Sequence, residues 1–148
     1  MNSTDTHQTS KCSSYNDDVR GIKRAIARFG QPEEREYLLR VSRDAFRRRA
    51  MVRETRSAEV VLLIRRPNGR FLLHIKSFYP SGSYRVPTGG IEQGEDLIAA
   101  ACREAREETG LQVSIERFLG ILHYRFCWND QETDFASYVF LLKETGGR

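Results

Sequence analysis

Between Gly89 and Leu111 the chain passes from a glycine pair through Ile91-Glu92-Gln93-Gly94-Glu95 into an alanine- and glutamate-rich stretch that stops at Gly110. At roughly 100° per residue, a helix here places Glu104, Glu107 and Glu108 within an arc of about 100°. Leu97, Ile98, Ala101, Cys102 and Ala105 fall on a neighbouring arc able to pack inward, so Cys102 reads as a small core residue. One face is built for burial and the other gathers negative charge. Three carboxylates this close repel one another by up to about 1 kcal/mol per contact in water, and by more where the dielectric falls. Only a cation makes such a cluster favourable. Carboxylates beside a glycine-rich loop are the parts needed to hold a divalent metal against a phosphate chain.

The surrounding pattern is mostly strands. Glu59-Val60-Val61-Leu62-Leu63-Ile64 reads as a buried strand, and Pro67-Asn68-Gly69 as a tight hairpin turn returning through a strand at 71–76. A loop at 78–84 and a short strand at Arg85-Val86 then lead into Pro87-Thr88-Gly89-Gly90. Beyond the helix, 113–126 reads as a long strand bulged near Gly120. Trp128-Asn129-Asp130-Gln131 makes a turn, and 135–143 is its partner, with Tyr138, Phe140 and Leu142 on one face and Val139 and Leu141 on the other. Strands, then a helix, then strands predict an α+β fold or an α/β/α sandwich.

The spacing in the first stretch is specific. Gly89, five residues, Glu95, seven residues, Arg103-Glu104, two positions, Glu107-Glu108, one position, Gly110 and then Leu111 resembles the Nudix box, with all seven strictly specified positions matched. With each residue type at roughly one in fifteen, a chance match at a given start is on the order of one in a hundred million. Ala105 departs from the usual Ile, Leu or Val, which touches packing rather than chemistry. The resemblance covers about 58–143 and implies an α/β/α sandwich with a mixed sheet. It also implies a hydrolase that splits a nucleoside diphosphate linked to another moiety, with Mg²⁺ or Mn²⁺ as cofactor.

The resemblance further implies roles. Glu107 and Glu108 are the principal metal ligands, and Glu104 is a further ligand or the base that deprotonates water. Arg103 orients a helix carboxylate, with Glu107 at i+4 a candidate. Glu95 steadies Arg103 or reaches a second ion. Gly89 and Gly90 let the loop backbone approach the site, and the carbonyl of Thr88 or Gly89 is a further candidate ligand. Some relatives place a base on a later loop, where Glu132 is the nearby candidate. Outside the box, Arg85 is a candidate for a substrate phosphate, and Phe78, Tyr79 and Tyr84 for stacking on a base. His74 and His123 sit in strand patterns and read as ordinary sheet residues.

Upstream of this region the chain is basic. From Arg20 to Arg56, eleven Arg and one Lys face five acidic residues, a balance of +7 in a chain whose total is +4. Residues 1–16 read as a disordered tail, 17–56 as a basic helical extension and 57–148 as the Nudix domain. Within the extension, Asp17 or Asp18 caps a short helix through Phe29 that stops at Gly30. Pro32 with Glu33, Glu34 and Glu36 opens a second helix to about Arg53. These helices pack on the core or form a homodimer contact, and the sequence does not choose. Such an extension also suits nucleic acid or a partner protein, which gives an alternative function: a catalytically weak Nudix-type binding or regulatory module. Family domains usually continue into a further strand and a C-terminal helix, and those elements are expected to be missing here. Cys12, Cys102 and Cys127 form no CxxC pair, which argues against disulfides and structural zinc and points to the cytoplasm. The first sixteen residues contain no apolar run to serve as a signal peptide, and no stretch is long enough to span a membrane.

Overall fold

The computed structural model describes residues 19–56 and 58–147. Eight elements follow one another: α1 Ile22–Phe29, β1 Glu33–Arg40, α2 Arg43–Thr55, β2 Ala58–Arg65, β3 Thr88–Gly90, α3 Leu97–Thr109, β4 Leu111–Trp128 and β5 Gln131–Gly147. The strands form one mixed sheet in the order β1-β4-β5-β2-β3. β1 runs parallel to β4 and β2 parallel to β5, while β4–β5 and β2–β3 are antiparallel.

Alternation along the strands creates two faces. On β2, Ala58, Val60, Leu62 and Ile64 are almost completely buried, while the residues between them are only half-buried. The buried side meets Tyr138, Phe140 and Leu142 of β5 and Phe118 and Ile121 of β4, with the Phe118 and Phe140 rings stacked at 4.6 Å. Leu97, Ala100, Ala101 and Ala105 of α3 close this core, joined by Val19, Ile22 and Ala25 at and before α1. Each large apolar side chain so buried stabilises the fold by roughly 1.5–3 kcal/mol. α2 lies against the opposite face, where the Arg49 guanidinium sits 4.8 Å from the Phe126 ring centroid and Phe46 meets Trp128. The result is the α/β/α layering expected of the sequence.

α3 is held at both ends. Asp96 accepts a hydrogen bond from the Ala99 amide as N-cap, and the Arg20 carbonyl accepts from the Leu97 amide, so two otherwise orphaned donors are satisfied. Gly110, at φ 73°, ends the helix in the left-handed conformation. The β4–β5 hairpin is bulged between Phe118 and Gly120 as expected, and shows two further register shifts nearer Leu111.

Three readings need correction. The stretch after Pro32 is no helix: Glu33–Arg40 is an extended strand paired with Gly120–Cys127, and α2 begins only at Arg43, capped by Ser42. The free edge of β4 supplies partners that outweigh local helix signals, and Tyr37 stacks on Tyr124 at 5.6 Å. Residues 19–56 therefore contribute two helices and a strand, and that strand belongs to the same sheet as 111–147. The return after Gly69 is not a continuous strand, and its pairing is limited to bridges of Phe71 with Arg65 and His74 with Arg85. Cys102 is exposed, because it sits at the margin of the buried arc of α3 rather than within it. Asp17, Asp18 and the tail at 1–16 lie outside the described residues. α1 begins at Ile22, after Gly21.

Candidate active site

β3 and α3 meet at the site. Gly89 pairs with Val60 and Gly90 with Glu59, so the glycine pair is fixed as an edge strand beside the helix. Glu104 is only 7% exposed and packs against Gly89, where an added Cβ would fall on its carboxylate. Helical spacing explains this burial: Glu104 lies seven residues after Leu97 and four after Ala100, inside the inward-facing arc. Among the three glutamates it is therefore the buried one, while Glu107 is exposed and Glu108 half-buried.

Arg103 organises this end of α3. Its Nε donates to Glu95 Oε2 at 2.7 Å and its Nη2 to Glu95 Oε1 at 2.9 Å, a bidentate grip that commits both Glu95 oxygens. Nη2 also donates to the Gly90 carbonyl at 2.9 Å, tying helix to strand. Nη1 donates to Glu104 Oε1 at 2.7 Å and to Glu107 Oε2 at 2.9 Å, so one nitrogen bridges two of the three helix carboxylates. The hydrogen bond from Arg103 holds the Glu95 carboxyl below the usual carboxylate range. Burial pushes Glu104 the other way, above that range, with Glu107 and Glu108 adding to the rise and Arg103 opposing it.

Glu108 faces a different cation. Lys76 Nζ lies 3.1 Å from Glu108 Oε2, and His74 Nδ1 is 3.9 Å from the same oxygen. His74 was expected to be an ordinary sheet residue; the bridge with Arg85 brings it beside α3, and its Nε2 is buried without a hydrogen-bond partner among the described residues. Lys76 is read from sequence only as the end of the returning strand, with no role at the site. The signal was available in the alternation of His74 and Lys76 on one side of the return segment.

The remaining candidates are dispersed around this centre. Arg85 is exposed, with its guanidinium 4.2 Å from the Tyr79 ring centroid. Phe78 and Tyr84 are 76% and 63% exposed at the loop, while Tyr79 is half-buried with its ring edge-on to Phe78. Glu132 sits at the β4–β5 hairpin, 3.7 Å from Arg125 and within reach of the Cys127 thiol. His123 faces Glu34 of β1 at 3.7 Å.

Among the described residues, no three carboxylate, histidine or cysteine side chains form a ready-made ion cage. The expectation that only an external cation could stabilise the glutamates is corrected here. The chain supplies two cations of its own, with Arg103 drawing Glu104 and Glu107, and Lys76 drawing Glu108. The donor set is nevertheless all carboxylate oxygen on one side of one helix, which suits Mg²⁺ or Mn²⁺ in chemical type. No helix among the described residues is long and apolar enough to cross a membrane.

A family model described as the NUDIX domain matches residues 48–148. Over 87 residues the chain is 34% identical to an ADP-ribose pyrophosphatase of Methanocaldococcus jannaschii, covering 59% of this chain and 45% of that protein. It is 42% identical over 69 residues to Nudix hydrolase 10 of Arabidopsis thaliana, covering 44% and 23%. It is 36% identical over 74 residues to diphosphoinositol polyphosphate phosphohydrolase 2 of Rattus norvegicus, covering 50% and 37%. Among solved structures, a C. elegans Ap4A hydrolase is similar at 26% identity and a TM-score of 0.43, covering 60% of this chain and 68% of that one. The matched stretches span less than half the length of these curated relatives.

Proposed function

The chain belongs to the Nudix family, and from that premise we propose that it hydrolyses a diphosphate linkage in a nucleoside diphosphate derivative, with Mg²⁺ or Mn²⁺ as cofactor. Glu107 and Glu108 are the residues that would hold the ion. When bound, such an ion neutralises non-bridging phosphate oxygens and lowers the pKa of water. Two of the relatives named above are an ADP-ribose pyrophosphatase and a diphosphoinositol polyphosphate phosphohydrolase, which supports a substrate with linked phosphates.

The chain's own residues do the rest. Water attacks one phosphorus, a new P–O bond forms, and the bridging P–O bond breaks to release the second phosphate. The attacking water gives its proton to a carboxylate. We assign that role to Glu104, whose carboxylate is seated against Gly89 and kept oriented by Arg103. Glu132 receives no role, since its neighbours are Arg125 and Cys127 at the hairpin. Arg103 is a positioning residue: it fixes Glu104 and Glu107 relative to Gly90 and is itself locked by Glu95. We assign contact with the nucleoside to Arg85, which lies over the Tyr79 ring, and to the exposed rings of Phe78 and Tyr84.

The observation that carries this reading is the seat of Glu104, buried against Gly89 and bonded to the guanidinium that also holds the Gly90 carbonyl. The test is incubation with Mg²⁺ and a panel of nucleoside diphosphate derivatives, with products identified by mass spectrometry. The expected result is cleavage of one derivative into two phosphorylated products, and a loss of at least about 100-fold in turnover for Glu104→Gln. No turnover of any compound, or turnover unaffected by Glu104→Gln, would overturn it.

A further inference from the structure

We propose that Lys76 is an exchangeable counter-ion of Glu108: its ammonium occupies the carboxylate until a divalent cation displaces it, and then turns to the phosphate chain of the substrate. The inference rests on the function proposed above, since it takes Glu108 as a ligand of the ion.

The two cations beside the α3 glutamates are held in opposite ways. Arg103 makes five bonds to four groups, two of them to Glu95 and one to the Gly90 carbonyl, neither of which is among the carboxylates assigned to hold the ion. Removing it would dismantle the junction of helix and strand. Lys76 has one ion-pair partner among the described residues, Glu108 at 3.1 Å. Its ammonium also lies 6.0 Å from the centroid of the Phe78 ring, and Phe78 is 76% exposed. An ammonium leaving Glu108 therefore has an aromatic face to pass over on its way to solvent. A flexible four-carbon stem carrying a point charge suits such a swing, whereas a guanidinium fork would not.

The surroundings say where the released charge would act. His74 and Lys76 lie two residues apart on the return segment, and Arg85 pairs with His74 across a backbone bridge, its guanidinium over the Tyr79 ring. Facing this row from α3 is Glu108, with Glu104 and Glu107 farther along the arginine-held side. While Glu108 is charged and unshared, Lys76 balances it. Once a doubly charged ion takes over that carboxylate, the ammonium is left beside a positive centre. The anion best placed to receive it is the diphosphate bound at the same centre. Lys76 thus opposes loading of the metal alone and favours loading of metal and substrate together. By linkage, substrate strengthens metal binding and metal strengthens substrate binding to the same degree.

Mn²⁺ affinity measured by titration calorimetry tests this without any turnover. In the absence of nucleotide, Lys76→Met is expected to bind Mn²⁺ about tenfold more tightly than the wild type, within the usual range of coupling between sites. A methylene-bridged nucleoside diphosphate, which cannot be hydrolysed, is expected to tighten Mn²⁺ binding in the wild type and to do so less in the variant. Misfolding cannot mimic a gain in affinity, and Lys76→Gln should give the same gain by a different side chain. Unchanged or weaker Mn²⁺ binding in both variants would overturn the proposal. Glu108→Gln separates this from failure of the underlying reading. If that variant binds Mn²⁺ like the wild type, Glu108 is no ligand and the site assignment fails. If it loses affinity while neither Lys76 variant gains any, only the counter-ion exchange is refuted.

Discussion

Replacing Gly89 by alanine isolates the contact on which the site depends. The added Cβ would fall on the carboxylate of Glu104, a side chain only 7% exposed, so Glu104 has to leave its seat or β3 has to shift. Overpacking of this kind costs about 1–3 kcal/mol. Loss of the 2.7 Å bond from Arg103 adds about 1.5–3 kcal/mol, as expected for a hydrogen bond to a charged group. Some of this is returned, because burial already holds Glu104 above the carboxylate range and escape to water relieves that penalty. A net destabilisation of about 2 kcal/mol lowers Tm by about 4–8 °C in a chain of this size. Displacing a catalytic carboxylate by about 1 Å is enough to cost about 100-fold in turnover. Gly90→Ala is the control on the same strand. The atoms nearest its Cβ all belong to the side chain of Arg56, which is exposed at the end of α2 and able to swing away, so the change should stay within about 0.5 kcal/mol. Circular dichroism melts and Mg²⁺-dependent turnover of the two variants side by side provide the assay. If Gly89→Ala melts and turns over like Gly90→Ala, the seat of Glu104 is not what fixes the site.

Other expectations follow from single features. Arg103→Lys keeps the charge but cannot reproduce a fork that reaches Glu95, Glu104, Glu107 and the Gly90 carbonyl; a urea titration should give a loss of about 2 kcal/mol, and an undiminished midpoint would contradict the role assigned to it. Glu144 is held below its ordinary value of 4.5 by a hydrogen bond from Arg66, so its contribution to stability is present above that pH and lost as pH falls through the lower folded value. Tm curves of wild type and Glu144→Gln should therefore be separated at neutral pH and converge in acid, and parallel curves would exclude the effect. Just past β1, Val41 donates to the Cys127 carbonyl, so hydrogen exchange should protect alternate amides back through Leu39, Tyr37 and Arg35, whereas a helix would protect consecutive ones.

What could be read from the residues alone depended on how local the cause was. α3 was legible because its period, its glycine stop and its acidic spacing all lie within one stretch of chain. The strands β2, β4 and β5 were legible from alternation and apolar runs, and even the bulge near Gly120 left a glycine as its trace. β1 was not legible. Pro32 followed by three glutamates carries every local mark of a helix start, and the decisive partner, the edge of β4, lies more than eighty residues downstream. The sequence also does not say that Phe71–Lys76 would be held by isolated bridges, because exposure of Phe71, Leu73 and Ile75 breaks no local rule.

The same distinction governs the site. An arc of glutamates suggested a deficit of positive charge to be met from outside, and one remedy was already visible in Arg103, adjacent to Glu104 and four residues before Glu107. The other was not, because Lys76 is brought to Glu108 by a turn and a bridge rather than by helical spacing. The local cation is also the immobile one, gripped by Glu95 within the same loop and helix. The distant cation rests on a single contact from a segment with little strand pairing of its own. A charge anchored by its own helix serves as scaffold, and one delivered from a loosely paired segment is free to change partners. On that reasoning the chemistry proposed here requires both, one to keep the carboxylates in place and one to give its carboxylate up.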